Sequence, residues 1–214
     1  MGCTWNIHVA DARGRLGPWR GSIEAAIART HRRVSEIADV DCVDIVVQDS
    51  PRVIRERGHV GFSPNGWMIY LSFDPDAPAF AGHLGEPLER TLAHEINHVV
   101  RWRGPGYGTT LGDALISEGL AGVFVRDLYD SAPEPWERAL DSVSALSTAV
   151  FGGWDEAYDH GEWFFGAGRY PVWAGYSLGY RIVAFHADRV SEGIVDLTQR
   201  PASHFKTSAR LALQ

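Results

Sequence analysis

The chain has 214 residues, 45% of them hydrophobic and 22% charged. That is globular composition, which excludes disorder, collagen and coiled coil, and the length supports a core without disulfide staples. A net charge of −7 and a pI near 5.7 make the chain a poor counterion for phosphate, so no nucleic-acid partner is expected.

The first six residues, Met1 to Asn6, have neither the basic nor the apolar region of a signal peptide. No run approaches the roughly 18 apolar residues of a membrane span, so no membrane partner is expected. A cytoplasmic location is the expectation. Cys3 and Cys42 lack a CxxC spacing and read as two reduced, buried thiols, with a disulfide between them as the alternative.

In chain order, Cys3 to Ala10 alternates with β-branched residues and predicts a strand. A Gly/Pro/Arg-rich loop follows. From Trp19 the pattern turns helical, with Ser22 as a cap and Ile23, Ile27, Val34 and Ile37 near one face. Val43 to Gln48 predicts a second strand. His59 to Phe62 is a short strand, Ser63 to Gly66 a turn, and Trp67 to Phe73 the returning arm of a hairpin.

After residue 84 helices dominate. Pro87 suits a first turn, and Leu88, Leu92, Ile96 and Val99 recur at helical spacing as far as about Arg101. Gly104-Pro105-Gly106 stops that helix. Further helices are expected over Leu111 to Tyr129, Trp136 to Val150 and Ala174 to Val190. The aromatic stretch between the last two, with Phe151, Trp154, Trp163, Phe164, Phe165 and Trp173, is expected to fill the core of the helical half. Strands first and helices later argue for an α+β fold rather than a parallel βαβ sheet. One domain over 1–214 is expected, sheet-rich to about residue 83 and helical over about 84–214.

The informative segment is His94-Glu95-Ile96-Asn97-His98, an HExxH motif inside a predicted helix. Residues four apart share a helix face, so both imidazoles project to one side, as two ligands of a tetrahedral Zn²⁺ require. Glu95 points to the flank, within reach of a metal-bound water. Residues 91–99 carry no Lys or Arg, unlike an ordinary solvated face. A catalytic zinc takes three protein ligands and keeps one position open. Glu118 is the candidate third ligand, because it interrupts a small, apolar stretch in the next helix, where a carboxylate is costly unless paired or bound to a cation. Pairing with Arg101 or Arg126 is the alternative. The glycines of that helix imply close approach to a neighbour, expected to be the HExxH helix.

HEINH followed by Glu118 resembles the gluzincin branch of zinc metallopeptidases, typified by thermolysin. The run from His94 to Ala121, with Tyr170 to Tyr180, resembles more closely the DUF2268 group of Zn-dependent proteases, over roughly residues 60–190. The resemblance implies a zincin-like fold, a small mixed sheet packed on an active-site helix with a mainly helical C-terminal half. It implies His94, His98 and Glu118 as zinc ligands and Glu95 as general base. Thermolysin-like enzymes place an aspartate four residues after the glutamate ligand to orient the first histidine. This chain has Gly122 there, and Asp113 and Asp155 are the candidate substitutes. An oxyanion donor is also implied. Tyr107 occupies the comparable stretch, and Tyr176, Tyr180 and His160 are later candidates. In zincins a strand before the active-site helix offers its edge to an extended peptide. Trp67 to Phe73 is the candidate, with an interior or covered strand as the alternative.

The expected function is a zinc-dependent metallohydrolase, a peptidase acting on a peptide or protein substrate through Glu95-activated water. The alternatives are a non-enzymatic zincin-like binding module with a structural or empty metal site, and a zinc amidase or esterase acting on a small molecule.

Overall fold

The computed structural model describes residues 4–214, arranged as two compact units that divide after Val100. The class is α+β with a small mixed sheet.

The first unit carries β1 (Trp5–Ala10), α1 (Arg20–Ser35), β2 (Val43–Asp49), β3 (His59–Asn65), β4 (Met68–Phe73) and α2 (Glu86–Trp102), whose last two residues belong to the second unit. The sheet order is β1-β2-β4-β3. β1 and β2 are parallel, as are β2 and β4, and only β3 runs antiparallel. So β1, α1 and β2 form a parallel βαβ unit, which corrects the expectation that strands first and helices later argue against one. Side chains alternate across a strand, which buries Val43, Ile45 and Val47 from β2 and Ile69, Leu71 and Phe73 from β4. Ile23, Ala26, Ile27 and Val34 of α1 are also buried. Ser22 lies inside α1 rather than capping it, and Ile37 lies beyond its end and is exposed.

The strand readings need two corrections. β3 continues through Ser63 and Pro64 to Asn65, so the turn is Gly66-Trp67, where the Trp67 amide donates to Asn65 Oδ1 at 2.9 Å. A bulge between Phe62 and Asn65 and an edge position accommodate Pro64, which has no N–H for a ladder. β4, the expected peptide-binding edge, is interior, between β2 and β3. The edges are β1 and β3.

Cys42 is disulfide-bonded, not a free thiol. The reading of Cys3, and the start of the first expected strand, lie outside the described residues.

The second unit holds α3 (Leu111–Tyr129), α4 (Ser147–Gly153), α5 (His160–Phe164), α6 (Ala174–Ala187), α7 (Ile194–Thr198) and α8 (Lys206–Ala212). α3 has the bounds the periodicity predicts. Its start is fixed by a capping box in which Thr110 and Asp113 satisfy each other's backbone amides. α3 is buried from Leu111 to Val125 except at Asp113, as suits a helix apolar nearly all round. The close approach its glycines require is made to α6. A Cβ on Gly119 would stand 2.2 Å from the Gly179 carbonyl oxygen, and one on Gly179 would stand 2.1 Å from that of Leu115. The helix expected over Trp136 to Val150 is instead two short 3-10 turns, Pro135–Arg138 and Ser144–Leu146, before α4. Trp154, Trp163 and Phe164 join the core, whereas Phe165 and Trp173 are exposed. Among the described residues no helix is long and apolar enough to cross a membrane.

Candidate metal centre

α2 is amphipathic in the way its sequence predicts. Leu88, Leu92, Ile96 and Val99 are fully buried. His94 and His98 stand one turn apart on another face, with their Nε2 atoms 3.1 Å from each other and their rings edge to face. The two Nε2 atoms converge, and His98 Nδ1 is buried.

Glu95, between them, is 7% exposed. Its Oε2 accepts a hydrogen bond from the Ser63 hydroxyl at 2.9 Å, and that hydroxyl also lies 3.0 Å from the Glu95 carbonyl oxygen. Alternation along β3 puts His59, Gly61 and Ser63 on one face. That face meets α2. His59 Nε2 lies 3.1 Å from Thr91 Oγ1, and a Cβ on Gly61 would stand 2.4 Å from Glu95 Cγ. Gly61 is therefore the strand residue whose missing side chain leaves room for Glu95. The strand beside the motif glutamate is edge strand β3, not β4. Neither Gly61 nor Ser63 was singled out from sequence. The available signal was a glycine inside a strand pattern, which marks close approach of another group.

His59 is fully buried, and desolvation first, then the charges of Arg57 and His83, pushes its pKa down to about 4. The Thr91 hydroxyl donates to the Pro87 carbonyl at 3.1 Å, so it accepts from a neutral His59.

In the second unit Glu118 lies on α3, 7% exposed. The Tyr107 hydroxyl donates to its Oε1 at 2.6 Å. Burial first, then the Glu118 charge, pushes the Tyr107 pKa well above its ordinary value, so the phenol remains a donor. The loop that carries Tyr107 is tied to the next residue of α3, because the Ser117 hydroxyl donates to the Tyr107 carbonyl at 3.0 Å. Arg101 directs Nε to Ser117 Oγ at 2.6 Å and a terminal nitrogen to the carbonyls of Thr198 and Arg200 at 3.1 and 3.0 Å. Burial lowers its pKa to about 10, which still leaves it cationic at neutral pH. Arg126 turns to Asp127 and Asp188.

The remaining sequence candidates have other partners. Asp113 caps α3, and Asp155 pairs with Lys206. His160 stacks on Phe164, and Tyr176 meets the same ring edge-on. Tyr180 packs beside Gly122. Glu137, which the sequence did not single out, packs against the same glycine. A Cβ on Gly122 would stand 2.3 Å from Glu137 Oε1.

No curated protein and no solved structure matches this chain. A family model does, over residues 21–207, a span that includes both halves of the motif. The chain therefore belongs to the family described as "Predicted Zn-dependent protease (DUF2268)".

Proposed function

We propose that the chain is a zincin-like, zinc-dependent metallohydrolase that cleaves peptide bonds. In this reading His94, His98 and Glu118, a candidate ligand group among the described residues, hold one Zn²⁺, and Glu95 is the general base. The observation that carries the reading is the 3.1 Å separation of the two Nε2 atoms. Two nitrogens bound tetrahedrally at about 2.0–2.1 Å from zinc stand about 3.3 Å apart, so the pair suits that ion with little movement. Two nitrogens and a carboxylate oxygen also match the donor set of a catalytic zinc rather than a closed, cysteine-rich structural one.

When bound, zinc supplies Lewis-acid polarisation of the scissile carbonyl and acidifies a water. The chain's own residues do the rest. Glu95 takes the water's proton and returns it to the leaving amine. Ser63 holds the Glu95 carboxylate by its Oε2. Tyr107 holds Glu118, and its proton points at that ligand. The substrate adds as an extended strand to the outer edge of β3, through backbone hydrogen bonds. That edge belongs to the strand whose Gly61 and Ser63 contact Glu95.

The test is digestion of a broad peptide library by the zinc-loaded chain. Cleavage abolished both by chelation and by Glu95→Gln is expected. No cleavage by a folded, zinc-loaded protein, or cleavage undiminished in Glu95→Gln, would overturn the reading.

A further inference from the structure

We propose that the cavity at the start of α3 binds the guanidinium or ammonium side chain of a peptide, as the specificity subsite of the proposed peptidase. The peptidase role rests on the reading above, and the cation site goes beyond it.

The cavity has a volume of about 360 Å³ and lies wholly within the second unit, where Leu111, Tyr158, Asp159, Glu162, Trp163 and Tyr170 line it. Backbone hydrogen bonds frame it. The Leu111 amide donates to the Glu156 carbonyl at 3.0 Å and the Gly112 amide to the Trp154 carbonyl at 2.9 Å, so the segment before α5 is fastened to the first turn of α3. Trp163 and Tyr170 form one wall, their rings stacked with centroids 3.8 Å apart.

The sequence between 155 and 162 supplies the carboxylates Asp155, Glu156, Asp159 and Glu162. Lys206 pairs with Asp155 at 2.6 Å, and Arg169 pairs with Glu162 at 2.8 Å. Asp159 commits Oδ1 to the Glu162 amide at 2.8 Å as the cap of α5, and no cation pairs with it among the described residues. Because Arg169 and Glu162 cancel, Asp159 sets the sign of the cavity.

The walls already hold one guanidinium. Arg169 makes its bond to Glu162 with its guanidinium carbon 5.4 Å from the centre of the Tyr170 ring. A carboxylate beside an aromatic face is a pairing that recognises cations. Asp159 and Tyr158 bring the same pair of groups to the cavity. An arginine or lysine side chain meets both, whereas an apolar one would cover the Asp159 carboxylate without pairing it.

Tyr158 also joins the cavity to the proposed zinc ligand of this unit. It shares a hydrogen bond with Tyr107, whose hydroxyl donates to Glu118 Oε1 at 2.6 Å. Two hydrogen bonds span about 5–6 Å. A side chain in the cavity therefore belongs to a residue close to the bond that zinc on Glu118 would polarise.

The test has two readouts on the full chain. Peptides that carry arginine or citrulline at each position in turn are digested by the zinc-loaded protein. N-acetyl-arginine amide and N-acetyl-citrulline amide are also titrated into the protein and followed by NMR. Citrulline keeps the shape of arginine and loses its charge. A preference for arginine of about 10-fold is expected at one fixed position beside the cleaved bond, with a similar ratio in binding. Asp159→Asn should bring both ratios near parity, and its fold is kept because Asn caps a helix as well as Asp. Asp155→Asn removes a neighbouring charge outside the cavity lining and should leave both ratios as in wild type. Cleavage with no preference for arginine, binding that does not distinguish the two amides, or an equal loss in Asp155→Asn overturns the proposal. No cleavage of any peptide by a folded, zinc-loaded chain overturns the peptidase reading instead, and the binding ratio alone then decides the cation site.

Discussion

The Tyr107 hydroxyl donates its one proton to Glu118 Oε1 at 2.6 Å. The phenol expected from sequence to face an oxyanion therefore rests on the proposed third zinc ligand. Tyr107→Phe should weaken zinc binding about 10-fold, the lower end of what losing a ligand's hydrogen-bond partner costs. Chelator competition measures this. Unchanged affinity, with kcat at saturating zinc down 10²–10³-fold, would instead assign the phenol to the oxyanion.

Gly61 and Glu95 supply a second prediction. A methyl group at Gly61 would stand 2.4 Å from Glu95 Cγ and 2.9 Å from its carboxylate carbon. Gly61→Ala should displace the carboxylate by about an ångström, and misplacement of that size costs on the order of 10²-fold in rate. Zinc content should not change, because Glu95 is not a ligand. Steady-state kinetics beside metal analysis separates the two. Wild-type kcat in Gly61→Ala would show that Glu95 relocates without consequence.

A third prediction concerns pH. The folded pKa of His59 is pushed down to about 4 from an ordinary 6.5. The unfolded chain therefore binds a proton between these values that the folded chain refuses. Stability contributed by neutral His59 is complete above pH 6.5 and is lost as pH falls towards 4, on the order of 3 kcal/mol in all. Urea unfolding with chelator present, at pH 7.0 and 4.5, should show this slope in wild type and a flatter one in His59→Gln. Equal slopes would remove His59 as the cause.

Legibility followed the range of the interactions involved. The extent of α3 was legible, because its apolar run is local. The His94/His98 pair was legible because four-residue spacing on a helix dictates a shared face. The break in the third expected helix was less visible. Asp141, Ser142 and Ser144 lie in the interrupted stretch, and such side chains offer the backbone rival hydrogen bonds. Strand order was legible only in the β3–β4 hairpin, and the pairing of β2 with β4 across an intervening β3 was not. The same limit hid the contacts around Glu95 and Gly122. Ser63 reaches Glu95 across 32 residues, and Glu137 fills the space at Gly122 from a separate turn. Neither leaves a periodic signal. Gly122 was readable as a departure from the thermolysin-like pattern, but Glu137 as its neighbour in space was not.

The most direct test of the central claim is zinc K-edge X-ray absorption on the purified, zinc-loaded chain, with Glu118→Ala beside it. One zinc per chain is expected, with a nitrogen/oxygen shell near 2.0–2.1 Å, outer-shell scattering from two imidazoles and no sulfur. Glu118→Ala should keep the two imidazoles and bind zinc far more weakly. A sulfur shell, fewer than two imidazoles, or an unchanged spectrum and affinity in Glu118→Ala would contradict the His94, His98 and Glu118 site.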